Sequence, residues 1–174
     1  MKISKDKNIV LIGYMGSGKS TVGRKAARAV EFNFLDTDAL IEQEEGMTIA
    51  KLFEEKGEAY FREKETETIK RLIAGEKGNI IATGGGLPMK EGNAALLKEL
   101  GTVIYLKAET ETLVKRLSND TVRPMLKNGD LKEKIETMLA VRGPVYEACA
   151  DLILQTDDMS FYEIICHIEK LLKA

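Results

Sequence analysis

Cysteine, histidine, proline and tryptophan are nearly missing from this chain: of 174 residues, two are Cys, one is His, three are Pro and none is Trp. Cys149 and Cys166 alone cannot make a disulfide framework or a zinc site, and the single His167 excludes His-rich metal chemistry. No apolar run approaches the roughly 20 residues of a membrane helix, so no membrane partner is expected. Residues 1–7 lack the apolar core of a secretion signal, so a cytoplasmic location is the expectation. An excess of one charge is missing too, since Lys+Arg 26 against Asp+Glu 28 leaves −2. That balance excludes a protein whose main work is gripping nucleic-acid backbone. No self-association motif is present, and a monomer is the expectation. With 44% hydrophobic residues the chain can bury a core, and its length suits one domain over 1–174.

What is present is an alternation. Five short apolar runs, Asn8–Ile12, Phe32–Leu35, Ile80–Ala82, Val103–Leu106 and Asp151–Leu154, read as strands. Runs this short and continuously apolar suit strands covered on both faces, so the sheet should be mainly parallel. Helical patterns fill the gaps over Lys19–Glu31, Asp38–Glu45, Thr48–Ala74, Gly92–Glu99, Glu109–Leu117, Leu131–Cys149 and Ser160–Lys173. Together they predict βαβ units with right-handed crossovers in an α/β fold. In the last helix, Phe161, Ile164, Ile165, Ile168, Leu171 and Leu172 form a core-facing stripe. Cys166 flanks it as a small buried hydrophobe, and His167 is expected at the surface. The polar stretch 118–130 is expected to be a surface loop.

Gly13-Tyr-Met-Gly16-Ser17-Gly18-Lys19-Ser20 fits G-x-x-x-x-G-K-[ST] in full, between a predicted strand and a predicted helix. Glycines let backbone N–H groups curl around a β-phosphate, and the helix start at Ser20-Thr21 favours an anion. Lys19 adds a point charge for the β/γ-phosphates, and the Ser20 hydroxyl suits Mg2+. This is a nucleoside-triphosphate site. The guanine signatures D-x-x-G and N-K-x-D are absent, and the runs Ile80–Ala82 and Val103–Leu106 end in Thr83-Gly84 and Lys107 rather than in the Asp or Asp-Glu of a motor ATPase. Transfer to a small molecule is the remaining reading.

Asp36-Thr37-Asp38 follows the second strand, at the carboxyl edge where open parallel sheets bind ligands. One carboxylate can hold Mg2+, and the other can take a proton from an attacking hydroxyl or orient it. The plainer reading is a turn in which Asp38 caps the next helix. Phe61 and Arg62 are adjacent, so an apolar wall and a guanidinium can share a pocket, which suits a carboxylate substrate. Alternatively Arg62 is a solvated charge pairing with Glu58 or Glu65. Gly84-Gly85-Gly86 after the third strand reads either as backbone pressed against a ligand or as a flexible turn. Arg123 and Arg142 are candidates to neutralise phosphoryl charge, or else surface charges.

The ordered set Gly13–Ser20, Asp36-x-Asp38, Gly57-Glu58-x-x-Phe61-Arg62-x-x-Glu65, Gly84-Gly85-Gly86, Arg123-Pro124 and Arg142-x-Pro144-x-Tyr146 resembles the shikimate kinase family over nearly the whole chain. The resemblance implies a three-layer P-loop kinase of the nucleoside monophosphate kinase type. Its five-stranded parallel sheet would run in the order 2-3-1-4-5, with an acceptor region near 36–65 and a lid near 118–130. It implies ATP and Mg2+ as cofactors and phosphorylation of the 3-hydroxyl of shikimate. By the same resemblance Asp38 holds the substrate hydroxyls and is the candidate base. Arg62 and Arg142 grip the substrate carboxylate, Glu65 supports Arg62, Phe53 and Phe61 line the pocket, and the Gly85 region binds through backbone. Ser20 and Asp36 serve Mg2+, Arg123 comes from the lid onto the phosphates, and Arg116 lies along the adenine. This chain departs from the pattern at Met125, where leucine is commoner. It departs again at Thr156-Asp157-Asp158-Met159-Ser160-Phe161, where arginine, asparagine and proline are frequent.

Two rivals share parts of this set. A gluconate kinase also meets a carboxylate, but it is not expected to combine Gly-Glu-x-x-Phe-Arg with the triple glycine. A regulatory nucleotide-binding module without transfer activity has no use for Lys19, Ser20, Asp36, Asp38 and Arg123 together.

Overall fold

Strand β1 (Asn8–Ile12) is buried at every residue, as expected of the middle of a sheet covered on both faces. The computed structural model describes residues 7–75, 77–118 and 130–173, so Arg123 and residues 119–129 of the expected lid lie outside the described residues. β1 pairs in parallel with β3 (Asn79–Ala82) on one side and β4 (Gly101–Lys107) on the other. Outside these lie β2 (Asn33–Asp36) and β5 (Leu152–Gln155), giving the order β2-β3-β1-β4-β5 with all neighbours parallel. The edge strands β2 and β5 are the least buried, while β4 is fully buried over Val103–Leu106.

Alternate residues of each strand face opposite layers. Ile9, Leu11, Ile80, Ile104, Leu106 and Leu154 pack against α1 (Lys19–Val30) and α7 (Phe161–Lys173). Val10, Ile12, Ile81, Val103 and Tyr105 face the other layer. There α3 (Ile49–Ala74), α4 (Asn93–Leu100), α5 (Thr110–Leu117) and α6 (Leu131–Cys149) contribute Ile69, Leu97, Leu113, Ile135 and Tyr146. A third cluster of Ile41, Leu52 and Phe61 seats α2 (Thr37–Glu45) on α3.

The expected elements are present to within a residue or two, and three details differ. The cap of α2 is Asp36, whose side chain accepts from the N–H groups of Asp38 and Ala39, so Asp38 is not the cap. Cys166 is half-buried rather than buried, while His167 is exposed. The long helix expected over 48–74 is broken at Gly57, which has φ 82° and ψ 169°. Only glycine takes that conformation readily. The break lets Phe53 from the first half meet Phe61 from the second, with ring centroids 4.9 Å apart and planes at 46°. Since nothing lies within 4 Å of a methyl placed on Gly57, its requirement is backbone angle and not space. Gly57→Ala is therefore expected to destabilise by about 1–3 kcal/mol and to lower Tm by several degrees in a thermal melt; an unchanged Tm would remove the strain argument.

Candidate active site

The loop between β1 and α1 is shaped by glycines that have both unusual angles and no room for a side chain. Gly16 has φ 80° and Gly18 φ 94°. A methyl on Gly16 would lie 2.8 Å from Leu117 Cγ, and one on Gly18 would lie 2.7 Å from Phe161 Cε1. Lys19, 8% exposed, donates from Nζ to the carbonyls of Gly13 at 2.8 Å and Tyr14 at 2.9 Å. Ser17 is buried, and Ser20 and Thr21 stand exposed at the start of α1. The loop thus offers backbone donors, a tethered ammonium and a helix N-terminus to one anion.

Asp36 joins this loop to the acceptor side. Its Oδ1 caps α2, and its Oδ2 accepts from the Ser20 hydroxyl at 2.8 Å. Ser20 and Asp36 set two hard oxygens side by side at the mouth of the phosphate loop, which fits a Mg2+ site. Asp38 is left free of capping work. Its Oδ1 is buried with no hydrogen-bond partner. Burial first, and the neighbouring Asp36 second, push its carboxyl up to about 6, against the pull of Lys19 and Arg62.

Across from Asp38 stands Glu65, fully buried on α3. One of its oxygens takes the Arg62 guanidinium at 2.7 Å; the other, Oε1, has no partner. Burial pushes Glu65 up to about 7 although Arg62 opposes it. The two orphan oxygens meet at Gly84, where a methyl would lie 2.6 Å from Asp38 Oδ1 and 2.9 Å from Glu65 Oε1. Two residues on, a methyl on Gly86 would come within 2.5 Å of Arg62 Nη1. The triple glycine is therefore clearance for side chains as well as backbone for a ligand. Gly85 faces Arg142, whose Nη1 is 3.6 Å from a methyl placed there.

Arg62 from α3 and Arg142 from α6 thus reach one glycine loop from two sides. Arg62 also pairs with Glu58 at 3.1 Å and lies over the Phe61 ring, 5.3 Å from its centroid. Both readings of Arg62 hold: it is a paired helix charge and a pocket wall. Phe61, under the Arg62 guanidinium, packs in turn on Phe53.

On the other side of the phosphate loop, Arg116 donates to the carbonyls of Ser17 at 3.4 Å and Thr156 at 3.3 Å. Its guanidinium lies 5.4 Å from the Phe161 ring centroid. Phe161 was expected in the core stripe of α7; it is 36% exposed and leans on Gly18 and Arg116 instead. It is the first residue of α7, at the end of the helix that meets the phosphate loop. Sequence reasoning also passed over Thr37, whose Oγ1 accepts from Gly84 N–H at 3.0 Å. A threonine between two aspartates carries no motif signal of its own.

This arrangement can be set beside known proteins. Residues 15–173 match the shikimate kinase family. A shikimate kinase of Caldicellulosiruptor bescii is 45% identical over 151 residues, covering 87% of each chain. The chain belongs to the shikimate kinase family. The structure of the Acinetobacter baumannii shikimate kinase in complex with shikimate aligns with TM-score 0.87 and 35% identity, over 95% of this chain and 92% of that one. A gluconokinase from Sinorhizobium meliloti aligns with TM-score 0.59 at 20% identity, over 98% of this chain and 93% of that one, and shares the fold alone. Among the described residues no helix is long and apolar enough to cross a membrane.

For a shikimate kinase with this pair of buried acids, pH has a definite sign. Glu65 has a folded value above its ordinary one, so the folded protein binds more protons than the unfolded chain. Its contribution to stability is unfavourable at high pH and vanishes as pH falls below the ordinary glutamate value. Ligand-free protein is therefore expected to lose about 1–3 kcal/mol as pH rises between about 4.5 and 7. Glu65→Gln should reduce that slope in urea titrations and leave the part that Asp38 supplies below about pH 6; an unchanged slope would show that Glu65 is ionised throughout.

Proposed function

We propose that this shikimate kinase transfers the γ-phosphoryl group of ATP to the 3-hydroxyl of shikimate, giving shikimate 3-phosphate and ADP on the route to chorismate and the aromatic amino acids. The observation that carries this reading is the meeting of Arg62 and Arg142 at one glycine loop, beside an Asp38 oxygen that has no partner. Two guanidiniums suit a carboxylate, and an unpartnered carboxylate oxygen suits hydroxyls. Shikimate carries both groups on one ring. The reading is supported further by membership of the family and by the shikimate complex of the related enzyme.

Within it, the phosphate loop Gly16, Ser17, Gly18, Lys19, Ser20 and Thr21 holds the nucleotide phosphates, and Arg116 lies along the base. Ser20 and Asp36 are the ligands for Mg2+, which when bound neutralises phosphate charge. Asp38 aims the acceptor hydroxyl and takes its proton. Arg62, braced by Glu65, and Arg142 fix the carboxylate, with Phe53 and Phe61 as walls and Gly84, Gly85 and Gly86 as floor. Arg123, outside the described residues, is assigned to the transferring phosphoryl group. Transfer of a loosely bonded phosphoryl group depends chiefly on positioning and charge neutralisation, which is what these residues supply. The chain acts as one domain, a monomer in the cytoplasm.

An ADP-release assay with Mg-ATP and shikimate, quinate, gluconate or no acceptor tests the assignment, with turnover expected on shikimate. Turnover on another acid instead would reassign both arginines to that carboxylate. Asp38→Asn should lower kcat by about a hundredfold or more while ATP still binds; near-normal turnover would end the role of Asp38. Arg142→Ala should raise the shikimate KM about tenfold or more with little change in the ATP KM. An unchanged shikimate KM would count against the carboxylate grip.

A further inference from the structure

The backbone groups of the glycine loop are shared out among side chains from three helices. Gly84 N–H goes to Thr37 of α2, and Leu87 C=O accepts from Asn93 Nδ2 of α4 at 2.9 Å. Gly85 C=O accepts from the Tyr146 hydroxyl of α6 at 2.6 Å. The Gly84 and Gly86 carbonyls are taken by the N–H groups of Leu87 and Met89. Among the described residues this leaves the N–H groups of Gly85 and Gly86 as the loop's unpartnered donors. They lie between the two arginines that face the same loop.

Tyr146 stands apart from the other two struts. It is 0% exposed, and its ring packs on Tyr105 with centroids 5.1 Å apart. Arg142, one turn earlier on the same helix, lies close enough for its charge to act on that oxygen. The hydroxyl therefore sits beside the arginine and donates to the carbonyl next to the free amides. Burial keeps this phenol neutral, pushing it up to about 12, so that it remains a donor at any working pH.

We propose that the Tyr146 hydroxyl is a positioning group for the acceptor carboxylate: it holds the Gly85 carbonyl away, so that the Gly85 and Gly86 N–H groups and the neighbouring Arg142 guanidinium converge on one anion. This rests on the acceptor assignment made above. Without the hydroxyl, the Gly85 peptide is free to turn its oxygen toward the anion. That change weakens carboxylate binding and leaves the phosphate loop untouched.

The test is Tyr146→Phe, which keeps the ring and removes one oxygen. Steady-state kinetics on a fully folded variant should show the shikimate KM raised about tenfold, with the ATP KM within about twofold of wild type. In 15N-labelled wild-type protein, shikimate should shift the Gly85 and Gly86 amide resonances, and the variant should lose that response. A purely structural role predicts a lower Tm with both KM values unchanged, and that result overturns the proposal, as does a variant that does not fold. Equal loss of ATP and shikimate binding overturns it too. If wild type itself ignores shikimate, the acceptor assignment fails and the loop is judged from the ligand-free amides alone. Gly85 and Gly86 resonances that differ between wild type and variant then uphold the positioning role, and identical ones end it.

Discussion

Two carboxylates buried against one glycine set the terms for the acceptor half of this enzyme. Asp38 and Glu65 each keep an oxygen without a partner, and the charges of Lys19, Arg62 and Arg142 oppose the cost of burying them side by side. An unsatisfied buried acceptor costs about 1–3 kcal/mol, and such groups persist in native structures only with a reason. Under the proposed function the reason is the substrate, whose hydroxyls give the Asp38 oxygen its donor. The triple glycine follows from the same constraint, since any side chain at Gly84 would enter the space that the two oxygens share. Stability is spent where binding recovers it.

The division of labour between Asp36 and Asp38 shows why a short motif under-determines a site. Two aspartates at i and i+2 are equivalent in the sequence. In the structure Asp36 is saturated, by two backbone N–H groups and the Ser20 hydroxyl, and it joins the end of β2 to the start of α1. Asp38, one step into the helix, inherits none of those partners. Capping one carboxylate is what leaves the other reactive, and the cap position is settled by where α2 begins.

Much of the scaffold was legible in the residues because its signals are local. The strands announce themselves by uninterrupted apolar character, a consequence of burial on both faces, and the phosphate loop is contiguous. What was illegible depends on contacts between distant segments. Gly57 sits inside an unbroken helical pattern, and only the need to bring Phe53 to Phe61 shows why the helix breaks there. Gly84 and Gly86 differ in purpose according to which side chain crosses each, from residues some 20 to 50 positions away. Phe161 satisfies the periodicity of α7 yet stands against the phosphate loop, because periodicity fixes a face of a helix but not where along it the sheet ends.

The strand order explains why these pieces form one site. All five strands are parallel, so every loop that follows a strand opens at the same edge. Placing β3 between β2 and β1 puts the glycine loop between the Asp36–Asp38 turn and the phosphate loop. The contacts agree: Gly84 touches Asp38 on one side, while a methyl on Gly85 would lie 3.6 Å from the Gly13 carbonyl on the other. β4 and β5 extend the sheet the opposite way and carry Arg116 and Thr156 to the far flank of the phosphate loop. Under the proposed function the acceptor carboxylate and the nucleotide base therefore approach from opposite sides of the phosphate loop. A change of strand order would keep every motif in the sequence and separate the two halves of the reaction.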